Sequence, residues 1–402
     1  MADFFQNGVI TTFHKLGKQN LKRLEEELKE FSRTRPIALV LPSLFREYAS
    51  GALQKIMGEL KKIKYLNQIV LCLDKANTSQ FKEVRKFFSN FKNATVIWND
   101  GPRMKKLYQL LEDSELSPGV EGKGRAVWMS FGYVLAKGKN QVIALHDCDI
   151  VNYERGLLAR LCYPVANPRS EYEFCKGYYS RITDRMYGRV TRLFFTPFIR
   201  SLEKMLGYLP FLVYMDSFRY ALSGEIALRR DLAMAMRIPS DWGLEVGTLA
   251  EVYRNMALNR ICQVDIVDAY EHKHRELFPD DAEKGLLRMA VDIAKSIFRT
   301  LGGEGVQFSE GFFKTLSNIY SKTAHQAITR YENDAAINGL SFDRHAESVC
   351  VESFTEGIRI AGEAFWKNPF ETLLIPNWHR IIAAIPDFYN SLQEAVKKDY
   401  QQ

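Results

Sequence analysis

Residues Gln141-Val-Ile-Ala-Leu-His-Asp-Cys-Asp149 read as a short buried strand ending in an acidic pair, Asp147 and Asp149. Side chains alternate along a strand with period two, so carboxylates at i and i+2 leave its end on the same side. Held that close they repel, and a divalent cation shared directly or through its waters relieves the repulsion. A hard metal at the carboxyl end of a strand sits where α/β sheets bind phosphorylated ligands. The pattern therefore points to metal-assisted handling of a diphosphate. The plainer reading is that the aspartates cap the helix that follows.

Four further features bear on that choice. Leu41-Pro-Ser-Leu-Phe-Arg-Glu47 follows the first apolar run, where a loop can wrap a nucleoside base and ribose; equally, Ser43 there caps a helix. Gly122-Lys123-Gly124-Arg125 precedes a helical segment. Glycines let backbone approach an anion, the helix start carries partial positive charge, and Lys123 adds a full one; the alternative is a turn with a solvated lysine. The Walker spacing is missing. In Glu271-His272-Lys-His274-Arg275 a neutral imidazole would complete a shell begun by carboxylates, and mixed N/O ligation suits Mn²⁺ or Mg²⁺ better than structural zinc. A surface histidine is the ordinary alternative. Tyr187-Gly188-Arg189-Val190-Thr191-Arg192 offers an arginine beside a glycine and a hydroxyl, either a cradle for phosphate or carboxylate or a solvated helix start.

The elements that must position these residues alternate. Residues 1–35 form a leader with one amphipathic helix from Asn20 to Phe31, on its Leu21/Leu24/Leu28 spacing. Pro36 to Pro42 reads as a first buried strand closed by proline. Helix (Gly51 to Ile63), strand (Gln68 to Asp74), helix (Thr78 to Phe88), strand (Ala94 to Trp98) and a helix to Ala136 follow, then the strand that leads to Asp147. Such alternation predicts βαβ units and a largely parallel sheet. Glu173 to Ser180, Phe218 to Glu225 and Ile261 to Val267 are the later strands. Residues 281–402 are helical, with helices near 281–300, 309–331, 344–365 and 378–398 that pack on the 36–280 catalytic domain or form an oligomer interface.

Composition fits a globular chain: 402 residues, 46% hydrophobic, 26% charged, with 26 Phe and 19 Tyr to fill a large core. The net charge of +7 is spread out, and no basic stripe with interleaved aromatics argues for nucleic acid. Six scattered cysteines without a C-x-x-C pair read as reduced core residues of a cytoplasmic protein. The amino terminus lacks a basic region followed by an apolar core, and the most lipid-like stretch, Met205 to Met215, is too short to span a bilayer. Neither a signal peptide nor a membrane is expected.

Together, Leu41-Pro42, Gly122-Lys123-Gly124, Asp147-Cys-Asp149, Gly188-Arg-Val-Thr191, Leu222-Ser-Gly-Glu225, Trp242-Gly-Leu-Glu-Val-Gly247 and His272 resemble the glycosyltransferase family of glucosyl-3-phosphoglycerate synthases and related mannosyl enzymes. The resemblance implies an α/β fold of the GT-A type with a Rossmann-like, mostly parallel sheet. It also implies a metal-dependent retaining hexosyltransferase moving glucose from UDP-glucose to 3-phosphoglycerate, and a homodimer. Carried over residue by residue, it gives Pro42, Ser43, Leu44, Glu47 and Asp74 to the uridine end, and Lys123, Asp147 and Asp149 to the nucleotide sugar. Asp149 and His272 would bind Mg²⁺ or Mn²⁺; Gly188, Arg189, Thr191 and His274 would grip the acceptor; Glu245, Leu222 and Asp147 would face the reacting sugar. One departure stands out: Asp74-Lys-Ala-Asn77 replaces the D-x-G-S-type turn of family members.

Rival readings are a sibling enzyme using GDP-mannose or free glycerate, a metal-dependent nucleotidyltransferase, and a non-catalytic nucleotide-sugar-binding protein. The nucleotidyltransferase would carry a glycine-rich loop after its first strand, and Leu41-Pro-Ser-Leu-Phe-Arg has no glycine. Retention is open to two routes, same-face attack by the acceptor or a covalent intermediate on Glu245.

Overall fold

The structure is a computed structural model and describes residues 5–17, 20–268, 270, 285–369 and 374–401. Among the described residues there are ten strands: β1 (Thr11–Phe13), β2 (Ile37–Leu44), β3 (Leu66–Asp74), β4 (Ala94–Trp98), β5 (Val142–Leu145), β6 (Phe174–Tyr179), β7 (Ile226–Arg229), β8 (Ile238–Pro239), β9 (Ile261–Val267) and β10 (Leu374–Ile375). Eight form one sheet in the order β1-β9-β6-β7-β5-β2-β3-β4, and β8 pairs with β10. Within the large sheet only β7 runs antiparallel to its neighbours.

Period-two alternation explains why the sheet is buried on both faces. In β2, Ile37, Leu39 and Leu41 enter one apolar cluster with helices Ala52–Leu60, Thr78–Phe88 and Arg155–Ala166. Ala38 and Val40 enter another, with helices Pro102–Asp113 and Lys123–Lys137. The carboxyl ends of β2, β3, β5 and β6 therefore share one edge of the sheet, and the amino end of antiparallel β7 returns to that same edge.

Several expectations are corrected. Pro42 does not close β2; it lies inside the strand, opposite Cys72. Pairing with β5 ends at Val40, which leaves one flank of β2 free, the setting in which a strand tolerates proline. The strand before the acidic pair ends at Leu145, although exposure still alternates through Asp147, Cys148, Asp149 and Ile150. Phe218 to Glu225 is a turn, and the strand begins one residue later. The last predicted helix is two, Trp378–Ala384 and Phe388–Asp399, interrupted around Pro386, whose missing N–H cannot continue a helix. Within the leader, β1 adds an edge strand beside β9.

The helical tail packs onto the rest of the chain. Helices Gly285–Gly303, Glu310–Ile337 and Arg344–Lys367 pack together, and the second lies along helix Thr196–Leu206, with the Tyr320 hydroxyl donating to the Leu193 carbonyl at 2.7 Å. Trp378 stacks on Trp128 with 4.3 Å between centroids, and the Trp128 indole N–H donates to the Pro376 carbonyl. No helix among the described residues is long and apolar enough to cross a membrane.

Candidate active site

The sheet's carboxyl edge gathers most of the residues singled out above. Lys123 opens the helix Lys123–Lys137, and its Nζ lies 2.7 Å from Asp147 Oδ1 and 3.1 Å from Glu245 Oε1. Burial opposes the lysine's charge, but Asp147 and Glu245 outweigh it and hold the pKa above the ordinary lysine range. Glu245 comes from the first turn of helix Leu244–Asn255, where the helix dipole favours a carboxylate.

What brings Lys123 to Glu245 is packing at the next residue. A Cβ on Gly124 would lie 2.0 Å from the Pro239 carbonyl oxygen, so only glycine lets the helix start sit against β8 and the segment leading to Glu245. Of the Gly-Lys-Gly run, then, Lys123 supplies the charge and Gly124 the close approach of two backbones.

The turn Leu222-Ser223-Gly224 reaches the same point from β7. A Cβ on Gly224 would lie 2.9 Å from Asp147 Oδ2, so any side chain at this position would meet the carboxylate. Next to it, Glu225 is fully buried and accepts hydrogen bonds from the hydroxyls of Tyr179 (2.8 Å) and Tyr270 (2.5 Å), whose rings stack 3.8 Å apart. Burial, and then the charge of Asp147, raise its pKa to about 7.

On the nucleotide side, Pro42, Ser43 and Leu44 end β2, and the Leu44 N–H donates to Glu47 Oε2 at 2.8 Å. Burial raises the Glu47 pKa, and the charges of Asp149 and Asp147 push it the same way. Carboxylate oxygens are the hard donors that Mg²⁺ and Mn²⁺ prefer. Among the described residues no group of three or more His, Cys, Asp or Glu side chains forms a ready cation site. His272 and His274 lie outside the described residues.

Asp74 ends β3 opposite Leu44 and accepts from the Asn99 side chain, which in turn accepts from the Tyr108 hydroxyl. Burial lifts its pKa from 3.8 to about 7. A carboxyl raised in the folded state contributes stability at low pH and loses it as pH rises from about 4 through 7. Asp74→Asn should therefore unfold at a higher temperature than wild type at pH 8, with the gap closing by pH 4. A gap independent of pH, read from thermal melts, would contradict this origin.

Gly188, Arg189 and Thr191 lead into helix Thr196–Leu206 through residues 190–195. Arg189 Nε donates to Glu347 Oε1 at 2.8 Å, and Arg192 pairs with the other oxygen of that buried carboxylate at 3.0 Å. The Tyr220 hydroxyl accepts from Arg181 at 3.2 Å, and its ring packs edge-on against Tyr179, whose hydroxyl donates to Glu225. Sequence reading assigned no role to Glu225, Tyr179, Tyr270 or Lys176; the signal available was polar groups, Lys176 above all, in otherwise apolar strand positions.

An α/β sheet whose carboxyl edge presents an acidic pair, a lysine at a helix start and a close-packed glycine turn defines a nucleotide-sugar transferase architecture of the GT-A type. No protein-family model matches the chain. The glucosyl-3-phosphoglycerate synthase of Persephonella marina is 50% identical over 400 residues, covering 99% of both chains. That of Methanococcoides burtonii is 38% identical over 408 residues, covering 100% of this chain and 98% of the relative. The chain belongs to the glucosyl-3-phosphoglycerate synthase family. The fold is also that of the Mycobacterium tuberculosis glucosyl-3-phosphoglycerate synthase crystallised with Mg²⁺ and UDP, at TM-score 0.52 and 22% identity over 75% of this chain and 89% of that one. A second structure of that enzyme, with Mn²⁺, UDP-glucose and phosphoglyceric acid, aligns at TM-score 0.51 and 20% identity over the same shares.

Proposed function

We propose that this chain transfers glucose from UDP-glucose to the hydroxyl of 3-phosphoglycerate with retention of configuration, releasing UDP and glucosyl-3-phosphoglycerate. The observation that carries the reading is Lys123 held between Asp147 and Glu245 at the sheet edge, in a chain half identical to a synthase of that name. The C1–O bond to the diphosphate breaks, the acceptor oxygen bonds to C1 on the same face, and the acceptor proton passes to the departing phosphate oxygen. Lys123 stabilises the charge that develops on that leaving group. Glu245 holds the lysine in place, and a carboxylate paired with an ammonium is a weak nucleophile, which favours same-face attack over a covalent intermediate.

Pro42, Ser43, Leu44, Glu47 and Asp74 hold the uridine end, and the Leu222–Gly224 backbone lines the sugar. Asp149, with His272, would hold the Mg²⁺ or Mn²⁺, which when bound would supply further positive charge at the diphosphate. Arg189 and Thr191, with Gly188 and His274, take the acceptor, Arg189 exchanging Glu347 for the incoming anion.

UDP release from UDP-glucose and Mg²⁺, measured with and without 3-phosphoglycerate, tests the reading, and acceptor-dependent release is expected. Faster turnover with GDP-mannose or free glycerate would move the assignment to a sibling, and no release with any donor would remove it. Asp149→Ala should lower turnover by about 10²-fold or more, and added metal should no longer stimulate it. Intact metal dependence in that variant would refute the ligand assignment.

A further inference from the structure

We propose that Lys176 is a positioning residue for the transfer step, holding the Leu222-Ser223-Gly224 turn against the Asp147 carboxylate. This rests on the site reading above. Lys176 lies in the middle of β6 and is 1% exposed. Its Nζ donates to the Ser223 carbonyl at 2.7 Å. The Ser223 hydroxyl donates back to the Gly177 carbonyl at 2.5 Å, and the Gly177 N–H donates to the Glu225 carbonyl at 2.9 Å. Ser223 of the turn and Glu225 just after it are thus tied to the adjacent residues Lys176 and Gly177 of one strand, just where β7 begins opposite Lys176 at Ile226.

On its other side the turn faces the Asp147 carboxylate. The Asp147 carboxylate occupies the space a Gly224 side chain would need, at 2.9 to 3.1 Å. A shift of the Ser223 carbonyl therefore passes to Gly224 and on to Asp147, the partner of Lys123. A sub-ångström displacement is enough to move a reacting group out of line.

A cation is a costly way to satisfy a buried carbonyl, since a neutral donor would serve. Four charged groups act on Lys176: Glu245 from helix Leu244–Asn255, Glu225 ahead of β7, Asp147 beyond β5, and Lys123 opposing them. Burial wins, lowering the pKa to about 8. Below that pH the bond to Ser223 is charge-assisted and short; above it the neutral amine binds the carbonyl more weakly.

Lys176→Met tests the role, because methionine fills much of the same volume while removing the donor to the Ser223 carbonyl. Expected is a fall in kcat, per folded molecule, of about 10-fold or more, with KM for UDP-glucose and 3-phosphoglycerate held within about threefold; Tm should fall as well, because a buried carbonyl and the neighbouring carboxylates lose their cation. The wild-type kcat should also decline above pH 8, and that decline should be absent from the variant. Unchanged kcat, a loss confined to KM, or a loss that tracks the unfolded fraction would each overturn the inference. Ser223→Ala cuts the second tie and should show the same kcat-selective loss, smaller in size, so the inference stays open to refutation if the methionine variant fails to fold. An inactive wild type overturns both this inference and the site reading; an active wild type with an equally active variant overturns this inference alone.

Discussion

Lys123→Ala should lower kcat/KM for UDP-glucose by about 10²- to 10³-fold while leaving the fold intact. The lysine side chain is a third exposed at a helix start, so little packing is lost with it. What is lost is the ammonium that the geometry places between Asp147 and Glu245. Without it the donor's diphosphate must approach two carboxylates that have lost this partner, and the charge that builds on the leaving group no longer meets the Lys123 ammonium. Binding and chemistry should both suffer, with the larger share in kcat because that charge is greatest in the transition state. Lys123→Arg should recover only part of the activity, since a planar guanidinium cannot occupy the position of a compact ammonium. Steady-state kinetics with a thermal melt as control decide the matter. A loss below about threefold, at unchanged Tm, would return Lys123 to a solvated lysine at the end of a helix.

The sheet was legible in the sequence because its signals are local. Ala94–Trp98 and Ile261–Val267 are apolar runs with clear bounds, and the structure reproduces both. The positions proposed for the donor side came from the same kind of signal: Leu44 and Asp74 end strands and Asp147 stands two residues beyond one, where an α/β sheet collects ligands. Contacts between distant segments left no periodic trace. Glu347, which holds Arg189, is 158 residues away from it and reads in isolation as one more acid in a helix. Glu225 and Lys176 interrupt apolar surroundings without belonging to any short motif, and their meaning appears only when β6 and β7 lie side by side. β1 is three residues long, too short for alternation to register, and it is a strand only because β9 offers it an edge. The Gly-Lys-Gly run was read as an approach for an anion, although one of its glycines is required by a neighbour more than a hundred residues downstream.

That glycine carries the second large effect. Gly124→Ala places a Cβ 2.0 Å from the Pro239 carbonyl oxygen and 2.9 Å from the Ser240 Cα, and real Cβ atoms essentially never come within 3.0 Å of another group. Both obstacles are backbone, so no side-chain rotation relieves them, and the start of helix Lys123–Lys137 has to back away from β8 by about 1 Å. Overpacking of this kind costs about 1–3 kcal/mol, partly offset by about 0.5–1 kcal/mol of helix propensity gained. Tm should fall by a few degrees or so. Lys123 moves with its helix, away from Glu245 and Asp147, and a misplacement of about 1 Å costs on the order of 10²-fold in turnover. Activity should therefore fall far more than the folded fraction. Gly58→Ala is the matched control: it lies in helix Ala52–Leu60 with no atom within 4 Å of an added Cβ, and it should be neutral or stabilising by about 0.4–1 kcal/mol. If Gly124→Ala keeps wild-type turnover, close contact between the helix start and β8 is not what sets the position of Lys123.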